Sequence, residues 1–223
     1  MNIHIISIHP KFIESYMQFG TFRAAQDKGH AEIQSINLRD YAVDKHGSID
    51  SKPYGGGDGM VLRPEPLAAA VHAIENPYVI LTSPRGKVWQ QSDAQRLLKL
   101  DKPIVIVCGR FGGVDERFIT NYVDEEISVG NFILSGGELA ALVMMDSLLR
   151  LIPGVLGNEE SSQIDSFSQN LKGQLEHPLY SKPALFENME VPSVLLSGNH
   201  KEIDAWRKQE SLKTTAKLRP DLL

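Results

Sequence analysis

The chain has 223 residues and a single cysteine, Cys108. One thiol rules out a disulfide framework and a cysteine-rich zinc site, and it suits a reducing cytosol. Long apolar runs are missing too. The longest unbroken one, Leu139 to Met145, has seven residues, against the roughly 20 that a membrane-spanning helix needs. The first residues, Ile3-His4-Ile5-Ile6-Ser7-Ile8, read as a strand with no basic segment before it, so no signal peptide is expected. Positive charge is in deficit: 23 Lys and Arg against 28 Asp and Glu leave a net charge of −5. That excludes a strongly basic, histone-like nucleic-acid binder. The GxxxxGK(S/T) phosphate loop, HExxH, the EF-hand loop and GxSxG are absent, and Gly55-Gly56-Gly57-Asp58-Gly59 does not fit GxGxxG. These gaps weigh against a nucleotide triphosphatase, a zincin, an α/β-hydrolase and a dinucleotide-dependent dehydrogenase.

What is present is ordinary for a globular chain: 42% apolar and 23% charged residues, and a length that predicts one or two domains. Charge is distributed unevenly. Residues 115–165 hold 10 acidic and only 2 basic side chains, whereas residues 201–223 hold 6 basic and 4 acidic. Short β-branched runs at 3–8, 31–37, 78–82, 103–108 and 124–129 alternate with helical patterns at 10–19, 21–28, 64–75, 90–100, 114–122 and 136–152. Val79-Ile80-Leu81 and Ile104-Val105-Ile106-Val107 are apolar on both alternating faces, as buried parallel strands are. This alternation predicts an α/β domain with a mostly parallel sheet. The helix at 136–152 is apolar nearly all round, which marks it as buried, with a second subunit one candidate cover. The pattern stops near Leu156. A polar, weakly periodic stretch follows, read as a linker, and then a small unit with a helix near 199–210.

Four glycine-bearing loops stand at element ends: Pro53 to Met60, Ser83-Pro84-Arg85-Gly86, Cys108 to Arg117, and Ser128 to Glu138. Glycine lets a backbone approach a ligand closely. In an open α/β sheet, ligands sit outside the carboxyl ends of the strands. The last three loops each follow a predicted buried strand, so they are expected to converge on one crevice. Singly, each is equally well read as a turn or a helix cap.

Taken together and in order, six motifs resemble the bacterial tRNA (guanine-N1)-methyltransferases of the TrmD type. They are Tyr54-Gly55-Gly56-Gly57-x-Gly59-Met60, Ser83-Pro84-x-Gly86, Cys108-Gly109-Arg110-x-x-Gly113-x-Asp115-Glu116-Arg117, Leu134-Ser135-Gly136-Gly137-Glu138, Ile152-Pro153-Gly154-Val155-Leu156-Gly157 and Leu195-Leu196-Ser197-Gly198-Asn199-His200. The resemblance implies a SPOUT-type α/β fold. Its parallel sheet carries a deep trefoil knot over residues 1–156, followed by a linker at 157–170 and a small, mainly helical tRNA-binding domain at 171–223. It implies S-adenosyl-L-methionine as donor, bent in the knot loops against Leu81, Ser83, Pro84, Gly109, Val129, Gly130, Leu134, Gly136 and Gly137. It implies tRNA as partner, with guanosine 37, just 3′ of the anticodon, as acceptor. A cytoplasmic homodimer with its active site at the subunit interface is expected, with neither membrane nor DNA as partner.

Methylating guanine N1 requires removal of its proton while charge grows on the neighbouring oxygen, a task for a carboxylate and a cation. By the same resemblance these are Asp165, in Ile164-Asp165-Ser166-Phe167, and Arg150. Read alone, Asp165 is a turn or helix cap, and Arg150 a helix-end residue favoured by the dipole. Arg207, Lys208, Lys213, Lys217 and Arg219 are candidates to meet phosphates; His200 is left between tRNA contact and helix start. The chain departs from the family pattern at Phe111 and Gly112, where Tyr-Glu is usual, and at Leu81, where an aromatic is usual. No residue is assigned to a metal, and magnesium finds no support in the sequence. Three other readings stay open: an RNA methyltransferase with a ribose 2′-oxygen acceptor, a non-catalytic RNA binder kept alive by Gly112, and a metabolic α/β enzyme.

Overall fold

The computed structural model describes residues 1–157 and 164–223. The chain divides into two compact units, Met1–Gly157 and Asn158–Leu223. In the first, β1 (Asn2–Ser7), β2 (Glu32–Asn37), β5 (Tyr78–Val88), β6 (Ile104–Cys108) and β7 (Glu125–Ser128) form one sheet in the order β2-β1-β6-β5-β7, all neighbours parallel. A two-residue antiparallel pair, β3 (Asp50–Ser51) and β4 (Val61–Leu62), brackets the triple-glycine loop.

The period-2 alternation of the strands sorts their side chains into two cores. Ile3 and Ile5 of β1, Ile80 of β5, Ile104 and Ile106 of β6 and Ile127 of β7 face one side. There they meet α1 (Pro10–Met17), α2 (Gly20–Asp27), α4 (Gln91–Leu97) and α6 (Glu138–Leu149). Ile6, Val79, Leu81, Val105 and Val107 face the other side, against α3 (Pro64–His72) and α5 (Glu116–Tyr122). Each fully buried Ile or Leu contributes about 1.5–3 kcal/mol, so the sheet is held from both faces. Pro10 and Pro64 open their helices where a missing N–H costs nothing.

Two elements differ in extent from the sequence reading. β5 does not stop at Thr82. After a register shift it continues to Val88 alongside β7. Gly86 makes this possible, because a Cβ there would overlap the Glu126 backbone. The loop expected at residues 83–86 is therefore part of an irregular strand. The last helix, α7 (His200–Leu218), runs well past the expected end at 210.

In the second unit, residues 164–170 fold into turns with the residues that follow. The Ser168 N–H donates to the Asp165 carbonyl (3.1 Å) and the Phe167 N–H to that of Gln174 (2.9 Å). Of the linker expected at 157–170, residues 158–163 lie outside the described residues. Leu175 is pinned to α7 by two hydroxyls: Ser211 Oγ donates to its carbonyl (2.6 Å), and Thr215 Oγ1 accepts from its N–H (3.0 Å). A short hairpin of β8 (Leu185–Phe186) and β9 (Met189–Glu190) completes the unit.

Candidate functional site

The carboxyl ends of β6 and β7 and the irregular middle of β5, three neighbours in the sheet, border one cleft of about 360 Å³. All nine residues expected around a donor line it. Leu81, Ser83 and Pro84 come from β5, and Gly109 from the turn after β6. Val129, Gly130, Leu134, Gly136 and Gly137 come from the segment joining β7 to α6.

Backbone hydrogen bonds hold the walls together. The Gly137 N–H donates to the Gly109 carbonyl (2.8 Å), and Arg110 and Gly136 form an antiparallel bridge. Thr82 Oγ1 accepts from the Gly109 N–H (3.2 Å) and donates to the Val107 carbonyl (3.1 Å), tying β5 to the turn beyond β6. Gly137 is required by this packing: a Cβ there would overlap Thr82 Oγ1 and press on the Gly109 nitrogen. The rim carries Phe111, half exposed and at a φ of +58°. Beside it the Gly112 N–H donates to the Met60 carbonyl (2.7 Å), so the far end of the triple-glycine loop is tied to the cleft.

Charge at the cleft is arranged in pairs. Arg85 donates to Glu126 through Nε (3.2 Å) and Nη2 (2.8 Å), and to Glu116 through Nη1 (2.8 Å). These bonds push the Arg85 guanidinium further up. Partial burial raises the Glu126 carboxyl, but the hydrogen bonds from Arg85 and Ser83 outweigh it and leave it below its usual value. Cys108, buried at the end of β6, has its thiol pushed up by burial and by the nearby charge of Glu138. It is a poor nucleophile.

A second cleft of about 660 Å³ adjoins the first and shares Arg110, Ile133, Leu134, Ser135 and Gly136 with it. His9, Lys11 and Arg39 line its other side.

The two residues expected to act on the acceptor lie elsewhere. Arg150 caps the carboxyl end of α6, and lines neither cleft. The cleft reaches α6 as far as Ala140, and Arg150 stands ten residues further on, about 15 Å at 1.5 Å per residue. Asp165 is half-buried in the second unit. Among the candidate phosphate-binding residues, Arg207, Lys213 and Arg219 pair with Asp204 (3.5 Å), Glu210 (2.6 Å) and Asp221 (2.7 Å). Lys208 and Lys217 are exposed on α7. His200 opens α7 just after Asn199, whose side chain caps the helix by accepting from Glu202 N–H (3.5 Å).

The sequence reading missed Thr82, Arg85, Arg110, Glu126, Phe132 and Ile133, all on the cleft wall. Arg85 and Arg110 stood inside the glycine motifs, and a charged residue within a glycine loop after a buried strand was the available signal. Among the described residues, no three His, Cys, Asp or Glu side chains are grouped to hold a metal ion. No described helix is long and apolar enough to cross a membrane.

Comparison with known proteins agrees with this architecture. The family model for tRNA (Guanine-1)-methyltransferase TrmD matches residues 1–223. A tRNA (guanine-N(1)-)-methyltransferase of Sulfurihydrogenibium sp. (strain YO3AOP1) is 51% identical over 227 residues, covering 100% of this chain and 87% of that one. The proteins of the same name from Geobacter sulfurreducens and Clostridioides difficile (strain 630) are 47% and 46% identical. They cover 100% of this chain and 91% and 97% of their own lengths.

Proposed function

The chain belongs to the tRNA (guanine-1)-methyltransferase TrmD family and is a tRNA (guanine-N1)-methyltransferase; from that premise we propose how it works. The methyl donor is S-adenosyl-L-methionine, held in the glycine-lined cleft. The acceptor is N1 of guanosine 37. The observation that carries this reading is the convergence of nine donor-loop residues, from three segments of the chain, on one cleft at the strand ends. Its volume falls in the range of small-molecule sites. The backbone exposed at Gly109, Gly130, Gly136 and Gly137 suits an adenosyl group, whose edge offers hydrogen-bonding atoms and no charge. We infer further that the segments bridged by Arg110 and Gly136 belong to a deep trefoil knot.

Bound in the cleft, the donor supplies an already activated methyl, so the protein's work is to position and to move a proton. Asp165 takes the proton from guanine N1 as the N1–carbon bond forms and the methyl–sulfur bond breaks. Arg150 stabilises the charge that develops on the guanine oxygen. Arg150 stands about 15 Å along α6 beyond Ala140 of the cleft wall, which favours its serving the cleft of another protomer. On this reading a second copy of the chain brings it, and the functional unit is a homodimer with a shared site. The outer face of α6 supports this: Leu139 and Val143, one turn apart, are 50% and 55% exposed, and Phe12 and Tyr16 of the adjoining α1 are also bare. Such an apolar stripe on a helix wants a cover. The second unit, with Lys208 and Lys217 on α7, grips tRNA phosphates, and the enzyme works in the cytoplasm.

The test is direct. Purified protein, methyl-labelled donor and unmodified tRNA transcripts differing only at position 37 should give label, recovered as N1-methylguanosine, only where guanosine stands there. Equal labelling of the adenosine variant, or label on a ribose oxygen, contradicts the proposal.

A further inference from the structure

Of the two arginines lining the donor cleft, one is spent and one is held ready. Arg85 uses Nε and both Nη atoms on Glu126 and Glu116. Arg110 makes one ion pair, from Nη1 to Glu138 Oε2 at 3.5 Å. A guanidinium has five N–H donors in a rigid fork, so most of this one's capacity remains for something else. Its side chain is 26% exposed, at the wall common to both clefts.

The setting of Arg110 is built from the inside outward. Glu138, the first residue of α6, has a side chain only 6% exposed. Its other oxygen, Oε1, accepts from Ser7 Oγ at 2.9 Å. Ser7 is buried at the end of β1, and its Oγ accepts in turn from the His9 N–H at 2.8 Å. Both Glu138 oxygens are thereby fixed. On the other side the arginine stem lies across Gly136, where a Cβ would collide with Arg110 Cδ and Nη1 and with Glu138 Oε2. A free arginine loses rotamer entropy when it is immobilised; here the fold has already immobilised it.

We propose that Arg110 receives the α-carboxylate at the amino-acid end of the methyl donor, with Glu138 and Ser7 as the residues that position it. This rests on the reading of the cleft as a donor site. The carboxylate is the donor's only anion at neutral pH, and its planar, two-oxygen geometry matches the guanidinium fork. The two segments that present Arg110 are those whose backbones line the cleft, through Gly109 and Gly136. An RNA phosphate entering the second cleft offers the same oxyanion chemistry, and the test separates the two sources.

The full-length chain is titrated calorimetrically with S-adenosylhomocysteine, which keeps the amino-acid end, and with methylthioadenosine, which lacks it. Wild type should bind the first more tightly. Arg110→Met should weaken S-adenosylhomocysteine by about tenfold or more, as loss of a charged hydrogen-bonded pair does, and leave methylthioadenosine within about twofold. Glu138→Gln should weaken S-adenosylhomocysteine alone, by about threefold, since the arginine stays but loses its anchor. Arg110→Lys, which keeps the charge and loses the fork, should fall between wild type and Arg110→Met; it serves too if the methionine variant does not fold. Equal losses for both ligands make Arg110 a structural residue and overturn the proposal. Unchanged affinities with a raised KM for tRNA assign it to phosphate and overturn it as well. If wild type binds neither ligand, the donor reading of the cleft has failed; if it binds both equally, only the role of Arg110 has.

Discussion

The two units of the chain are stabilised by different means. In Met1–Gly157 a five-stranded sheet buries apolar side chains on both faces. In the described part of the second unit the only buried apolar side chain is Ile203; the other buried residues there are Ser168, Ser211 and Thr215. The first unit is a packed core that presents backbone to a cleft. The second is assembled by hydroxyl-to-backbone bonds and exposes the cations Lys208 and Lys217 of α7. On the proposed reading the first unit holds the donor and carries Arg150, while the second carries the proposed base, Asp165, and the cations of α7.

The sharpest way to break this division is to remove charge from the second unit and watch the first. Asp165→Asn should lower turnover by about 10³-fold, within the span of general-base contributions, and leave calorimetric affinity for the donor unchanged. A parallel loss of donor affinity would unite what is separated here. Arg150→Ala, a change within the first unit itself, should lower the rate about 10²-fold or more, also without affecting donor binding. The converse variant is Gly137→Ala. Its added methyl overlaps Thr82 Oγ1, so donor affinity should fall more than about tenfold, with overpacking costing about 1–3 kcal/mol of stability by thermal unfolding.

Smaller effects sharpen the contrast in stability. In hydrogen exchange by mass spectrometry, amides of β1, β5 and β6 should be the slowest in the chain, and those of residues 164–199 should exchange well before them. Cys108, buried with a raised thiol pKa, should resist iodoacetamide at pH 8 in the folded protein and react fully after denaturation.

How much of this was legible in the sequence varied with the kind of signal. Buried parallel strands announce themselves by apolar runs, and β1, β2, β6 and β7 fall within a residue or two of where the pattern put them. β5 was cut short because Pro84 and Gly86 read as a turn. Their tolerance in a strand depends on the register shift against β7 and on the room Gly86 leaves for Glu126, neither of which is local. α7 was ended eight residues early because its buried face turns polar at Ser211 and Thr215. Those hydroxyls bond to Leu175 about 40 residues away, and no periodicity reports such a partner. The glycines of the cleft were visible because their reason is backbone conformation. Arg110 and Glu138 were not, because their meaning lies in Ser7, on a strand more than a hundred residues earlier.

The central claim is that the donor cleft of one protomer works with Arg150 of another. Gly137→Ala, defective in the donor cleft, and Arg150→Ala, defective in the acceptor-side cation, are each strongly impaired in this account when the donor is kept well below its Kd for wild type. Denatured together in equal amounts and refolded, they should form mixed dimers, half of all dimers, with one intact site of two. Methyl transfer to a tRNA transcript should then return to about a quarter of the wild-type rate, as random pairing of two protomer types requires. Recovery no greater than the sum of the two variants alone would place Arg150 and the cleft in the same protomer and contradict the shared site.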